Sequence, residues 1–164
     1  MNQTRFVLDV SRRVMMKVDK LIFLVENSAD YVFLLEQAFQ KAGISYPLKI
    51  ARYGNEAILY LKGVGIYGDR SHYPLPQIII LDMSIADGSA LSVLGWIRKQ
   101  PAFSAIPVFV LVLASDKRMV YDALDKGANA YFIKRDDLDE LVRMIKGFDV
   151  REDANKSPQS QECS

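Results

Sequence analysis

Three side chains that lie far apart in this chain are of types that suit one another. Glu26 follows the apolar run Leu21 to Val25, Asp82 follows Ile78 to Leu81, and Lys134 follows Ala130 to Ile133. Asn27, Ala114 and Ser115 stand at similar places, just beyond an apolar run. Two carboxylates on one rim suit a hard divalent cation such as Mg2+, which takes carboxylate and carbonyl oxygens and keeps several waters. A lysine opposite them would neutralise an anion bound there. Together these groups describe a site for phosphoryl transfer, in which positioning and charge stabilisation supply most of the catalysis.

The elements that must position these residues follow from hydrophobic pattern. Five apolar runs of strand length are expected at Leu21 to Val25, Leu48 to Ala51, Ile78 to Leu81, Val108 to Leu113 and Ala130 to Ile133. They are mostly continuous rather than alternating, as in strands buried on both faces, and helical stretches separate them. That alternation is the pattern of βαβ units and a parallel sheet, whose ligands bind beyond the strand carboxyl ends. Helices are expected from Ala29 to Lys41 with Ser28 as cap, Asn55 to Lys62, Ser89 to Gln100, and Lys117 to Lys126 with Gly127 as stop. In the last helix Leu138, Leu141, Val142 and Ile145 follow the i, i+3, i+4, i+7 rule, with Asp136 or Asp137 as cap and Gly147 as stop. The stretch GVGIYGDRSHYPLP, from Gly63 to Pro76, follows neither period and is expected to be a surface loop.

The whole chain of 164 residues is about one domain. Lys+Arg 21 against Asp+Glu 20 leaves a formal net charge of +1, which suggests neither disorder nor a nucleic-acid partner. Apolar runs fall far short of the roughly 18 residues that cross a bilayer, so no membrane segment is expected. One cysteine, Cys163, allows no internal disulfide and no cysteine-based zinc site, and a cytoplasmic setting fits. We expect residues 1–19 to be an N-terminal extension, 20–148 the folded domain, and 149–164 a polar, disordered tail. Met15 and Met16 offer an alternative start of translation.

Over roughly Lys20 to Gly147 the chain resembles a response-regulator receiver domain of two-component signalling. LVENSAD is similar to the family's first acidic motif, IIILDMS to its phosphorylation motif, and GANAYFIK to its fifth-strand segment. Asp82 to Val112 is 30 residues and Val112 to Lys134 is 22, the family's separation of phosphoacceptor, switch hydroxyl and lysine. YLKGVGIYGDRSHYPLPQIIILD further resembles single-domain regulators of phytochrome-like sensor kinases. The resemblance implies a flavodoxin-like, CheY-like α/β fold: a doubly wound, five-stranded parallel sheet in the order 2-1-3-4-5 with five helices. It also implies that Asp82 accepts a phosphoryl group from a sensor histidine kinase, with Lys134 pairing to it. Mg2+ would be held by Glu26, Asn27, Asp82 and the backbone carbonyl of Ser84. The surface of helix four, strand five and helix five would dock a downstream protein partner or a second copy.

Several residues depart from that pattern. Asn27 replaces the carboxylate that usually touches the metal, so Mg2+ should bind weakly; the residue reads equally well as a turn former. Val112 stands where the switch threonine or serine is usual and cannot make its charge-assisted hydrogen bond, of about 1.5 to 3 kcal/mol. Ser115, three residues on, is a poor substitute. Arg135 replaces the proline that follows the lysine, which makes a cis peptide there improbable. Tyr131 fills the aromatic switch position, although a buried strand-end tyrosine explains it equally. His72, the only histidine, is expected to be incidental, without a nucleophile nearby, and Asp87-Gly88 to be a simple turn.

The expected function is therefore a phosphoacceptor protein that signals by docking, and not a turnover enzyme. The alternative is a degenerate receiver that acts as a phosphorylation-independent interaction module. A phosphohydrolase on the same layout is disfavoured, because Ser84 stands where such enzymes need a second acid.

Overall fold

The computed structural model describes the backbone of residues 5–8, 15–18 and 20–154, and the side chains of 20–148. Five parallel strands form the central sheet: β1 (Ile22–Val25), β2 (Leu48–Ala51), β3 (Ile78–Asp82), β4 (Val108–Val112) and β5 (Ala130–Ile133). Their spatial order is β2-β1-β3-β4-β5, the expected 2-1-3-4-5. Five helices alternate with them: α1 (Ala29–Lys41), α2 (Gly54–Lys62), α3 (Ala90–Lys99), α4 (Lys117–Asp125) and α5 (Leu138–Ala154). Before β1 a short antiparallel hairpin pairs Arg5–Leu8 with Met15–Val18. The remainder of the expected extension, its start codon and the tail beyond Ala154 lie outside the described residues.

The continuous apolar runs arise because both faces of the sheet are covered. Phe23, Val25, Ile79, Leu81 and Val110 point to one apolar cluster, with Leu61 of α2 and Leu94 and Ile97 of α3. Ile22, Leu24, Ile80, Phe109 and Leu111 point to the other, with Leu35 and Phe39 of α1 and Leu141 and Ile145 of α5. Burying each such side chain is worth about 1.5 to 3 kcal/mol, so strand register is strongly specified.

Helix ends follow local chemistry with two exceptions. The Ser28 hydroxyl accepts from the Tyr31 N–H at 3.3 Å, as expected of the cap. Asp137 does not cap α5 with its carboxylate, which instead accepts from the Ile133 N–H on the edge strand at 2.7 Å. Gly147 does not end α5, which continues to Ala154. An interior glycine costs only about 1 kcal/mol, and Phe148 just beyond it still packs on Phe109, with ring centroids 5.7 Å apart.

The insertion after α2 is fastened down rather than loose. It contains one 3-10 turn, Gly65–Gly68, and its Tyr67 and Tyr73 pack around Tyr60, which stacks on Phe23 at 4.3 Å. Arg70 donates to the carbonyls of Tyr60, Leu61 and Tyr73 at 2.9, 2.7 and 3.1 Å, tying the insertion to the last turn of α2. On the same face of the sheet, Arg98 joins α3 to Gly127 O at 2.8 Å and to Ile106 O at 2.9 Å.

The start of α2 abuts the loop that follows β3. The Gly54 N–H donates to the Asp87 carboxylate at 3.0 Å, and a Cβ placed on Gly54 would collide with the Ser89 hydroxyl. Gly54→Ala, ordinarily favourable in a helix, is therefore expected to destabilise the protein. A loss of about 1 to 3 kcal/mol in urea melts, typical of overpacking, would verify the contact.

Candidate functional site

Sheet order brings the three chemically suited side chains to one rim. Val25 pairs with Leu81, so Glu26 and Asp82 leave neighbouring strands at the same level. Val112 pairs with Ile133, and the Lys134 N–H donates to the Val112 carbonyl at 2.9 Å, which fixes the root of the lysine. Its long side chain then crosses β4 toward β3 and β1. The Lys134 Nζ donates to Glu26 Oε2 at 2.7 Å and lies 3.3 Å from Asp82 Oδ2.

Each carboxylate is also held by its own loop. Glu26 Oε1 accepts from the Ser28 N–H at 2.9 Å. Asp82 Oδ1 accepts from the Ser84 N–H at 2.9 Å and from the Ser84 hydroxyl at 2.7 Å. Both acidic residues are 1% exposed, and the lysine side chain is 12% exposed. The Tyr31 ring covers the ammonium, its centroid 4.6 Å from Nζ, a cation–π distance.

Burial dominates the electrostatics. It pushes the Glu26 carboxyl above its ordinary value; the Lys134 and Ser28 hydrogen bonds act in the opposite direction, and the charge of Asp82 raises it further. Burial, then Glu26 and Asp82, pushes the Tyr31 phenol up to about 12, so its ring faces the lysine as a neutral group.

Other singled-out residues fall in different surroundings. Asn27 is half-buried beside Glu26 and stands outside the hydrogen-bonded cluster. Val112 is 1% exposed and packed in the apolar cluster on the α2–α3–α4 face. Tyr131 is 44% exposed on the edge strand, so a buried strand-end tyrosine does not describe it. Arg135 follows Lys134 with a left-handed φ of 71°, and the described residues contain no cis peptide. The Ser71 hydroxyl lies 3.2 Å from His72 Nδ1, contrary to the expectation of no nucleophile there. That same nitrogen meets Asp69 at 2.7 Å, so one ring atom serves both and no relay forms. Asp87 is more than a turn residue, since it tethers α2. A cavity of about 430 Å3 between Tyr46, Pro76, Ile106 and Phe148 lies at the amino-terminal ends of the strands, away from this rim.

Three contributors were not anticipated: the Tyr31 ring, the Ser28 N–H and the Ser84 hydroxyl. Tyr31 shares the inward stripe of α1 with Leu35 and Phe39 at i, i+4 and i+8, which read as core alone. For Ser84 the sequence points to its backbone carbonyl and to the lack of a second acid, not to its hydroxyl.

Among the described residues no three His, Cys, Asp or Glu side chains converge as a metal cluster. The two carboxylates brought together at this rim, Glu26 and Asp82, are of the chemistry that suits a hard cation.

Residues 22–146 match the family model of the response regulator receiver domain, and the chain belongs to that family. It is 29% identical over 130 residues to the response regulator Rcp1 of Synechocystis sp., covering 79% of this chain and 86% of that protein. The crystal structure of the phosphorylated cyanobacterial phytochrome response regulator RcpA superposes with a TM-score of 0.69 at 26% identity, over 87% of this chain and all of the other. The Mn2+-bound form of Rcp1 superposes with a TM-score of 0.65 at 29% identity, over 79% of this chain and 91% of the other. The chain is thus a receiver-domain protein related to phytochrome response regulators.

Two outcomes are expected from the buried charges. Lys134→Met leaves two buried carboxylates without a counter-charge, costing about 3 to 5 kcal/mol in denaturant melts at neutral pH. Because burial in the folded state raises the Glu26 pKa above its ordinary value of 4.5, this group's contribution is full below that value and lost as pH rises through the folded pKa. Glu26→Gln should accordingly flatten the fall of stability with rising pH in that window, as read from urea midpoints.

Proposed function

We propose that this protein is a response regulator in which Asp82 accepts a phosphoryl group from a sensor histidine kinase. The observation that carries the reading is the buried cluster in which Lys134 bridges Glu26 and Asp82. A carboxylate oxygen of Asp82 attacks the phosphorus of a phosphohistidine, a new O–P bond forms, and the P–N bond breaks with its electron pair leaving on the imidazole. Asp82 Oδ2 suits the attack, since its lysine contact is long at 3.3 Å whereas Oδ1 holds two donors from Ser84. As negative charge leaves the carboxylate for the phosphoryl oxygens, the Lys134 ammonium follows it and pairs with them. Its loosened contact also opens the route to the otherwise covered Asp82.

Glu26, Asn27, Asp82 and the Ser84 carbonyl would hold Mg2+, which supplies charge neutralisation as the two anions approach. Asn27 contributes no charge, so the affinity is low. The product is an acyl phosphate on the protein itself, and the role is that of a phosphoacceptor rather than of a turnover enzyme. Its setting is the cytoplasm, in keeping with a kinase partner; no described helix is long and apolar enough to cross a membrane. Tyr121 and Leu124 of α4, Tyr131 of β5 and Met144 of α5 are exposed, and they offer an apolar surface to a downstream protein or a second copy of the chain.

Val112 favours a second reading. Its apolar side chain sits where the switch hydroxyl is usual, which suits an interaction module whose docking ignores phosphorylation.

Acetyl phosphate with Mg2+ is expected to add one phosphoryl group in intact-mass spectra of the full chain, and none to Asp82→Asn. An unchanged mass with both acetyl phosphate and a competent kinase would reject phosphoacceptance and leave the second reading. Asn27→Asp is expected to tighten Mg2+ binding by isothermal titration calorimetry, and an equal affinity in the two proteins would remove Asn27 from the metal site.

A further inference from the structure

We infer that the Ser84 hydroxyl does the work that Val112 cannot, and that phosphorylation is therefore read through the β3–α3 loop and α2 rather than through α4. This rests on Asp82 being the phosphoacceptor.

Of the hydroxyls around the rim, that of Ser84 is already on the reacting group, 2.7 Å from Asp82 Oδ1, and the residue is open to solvent. Beyond β4 the chain offers nothing comparable. Val112 is buried among apolar side chains, Leu113 and Ala114 carry no hydroxyl, and Ser115 is exposed without a bond into the cluster. The start of α4 has its own cap, the Asp116 carboxylate accepting from the Met119 N–H at 3.3 Å. It has no need of the rim.

Charge redistribution gives the hydroxyl its reason to move. In free Asp82 the carboxylate is the best acceptor within reach, and Ser84 donates both its N–H and its hydroxyl there. Once the O–P bond forms on Oδ2, Oδ1 becomes the neutral carbonyl oxygen of an acyl phosphate and the phosphoryl oxygens hold the charge. A hydroxyl on a single χ1 rotor turns to the stronger acceptor at little cost, because charge-assisted bonds are about twice as strong as neutral ones.

What that movement pulls on is fixed by the next five residues. Ile85 is buried and its carbonyl closes a turn with the Gly88 N–H at 3.0 Å. Asp87 Oδ2 then accepts from the Gly54 N–H at the start of α2, at 3.0 Å, while Oδ1 accepts from the Ser89 hydroxyl at 2.6 Å. Ser89 fills the space that any side chain at Gly54 would need. The far end of α2 is gripped by Arg70 of the insertion. A displacement of Ser84 is thus passed to α2 and the insertion, which expose Leu59, Val64 and Ile66.

The test is hydrogen–deuterium exchange of the full chain before and after treatment with acetyl phosphate and Mg2+, with modification verified by intact mass. In the modified wild type, exchange in residues 54–68 and 84–89 is expected to change by about tenfold, the scale of one charge-assisted hydrogen bond, and in 113–125 to stay the same. Compared at equal modification, Ser84→Ala should lose the response in 54–68 and Ser84→Thr should keep it. A modified wild type whose response lies in 113–125, or a Ser84→Ala protein that keeps the response in 54–68, overturns this inference alone. Loss of modification in Ser84→Ala that Ser84→Thr does not recover also overturns it. If the wild type takes up no phosphoryl group from acetyl phosphate or from a kinase, phosphoacceptance fails as well, so the two failures are told apart.

Discussion

One ammonium holding two buried carboxylates sets the terms for the rest of the structure. Lys134 meets Glu26 across 108 residues and Asp82 across 52, and neither acid has more than a sliver of solvent contact. Taking such charges out of water costs several kcal/mol each, and the cost is met only where the pairing geometry is good and the remaining lone pairs are satisfied. The Ser28 and Ser84 donors complete that satisfaction. A parallel sheet in which β1, β3 and β5 all end at one rim is what makes the meeting possible, and two full apolar faces hold the strands in register.

The rim is poised rather than neutralised. One cation faces two anions, burial raises Glu26, and the contact to Asp82 is the longer of the two lysine contacts. Glu26 thus keeps the ammonium in place while leaving Asp82 the less committed partner. Tyr31 adds a neutral aromatic wall behind the ammonium without competing for protons.

Two positions at which the chain departs from the family pattern, Arg135 and Val112, lie in very different surroundings. At Arg135 the chain turns through a left-handed residue, a conformation that costs an ordinary side chain roughly 1 kcal/mol or more and that the flanking bonds of β5 and α5 hold in place. Val112 is a dry core position, while the Ser84 hydroxyl reaches the Asp82 carboxylate from the loop that follows β3. The sheet is correspondingly asymmetric in its fastenings: Asp87, Ser89 and Arg70 lace the β3–α3 loop, α2 and the insertion together, whereas α4 is capped by its own Asp116.

Much of this was legible in the residues alone. Continuous runs such as Ile78 to Leu81 announced doubly covered strands, Ser28 and Gly127 marked helix ends, and the spacing of Asp82, Val112 and Lys134 marked the family and the rim. Periodicity and spacing report local conformation and strand ends, which short stretches of chain dictate by their own sterics and apolar content. They could not report that Asp137 bonds back to Ile133, that α5 outlasts Gly147, that Tyr131 lies in solvent, or that Asp87 tethers Gly54 from 33 residues away. Nor could they reveal which acceptor the Ser84 hydroxyl would choose. Such partnerships depend on distances of about 3 Å between particular atoms, some of them remote in the chain as in Asp87 and Gly54, and those distances exist only after the strands have been ordered and the helices packed.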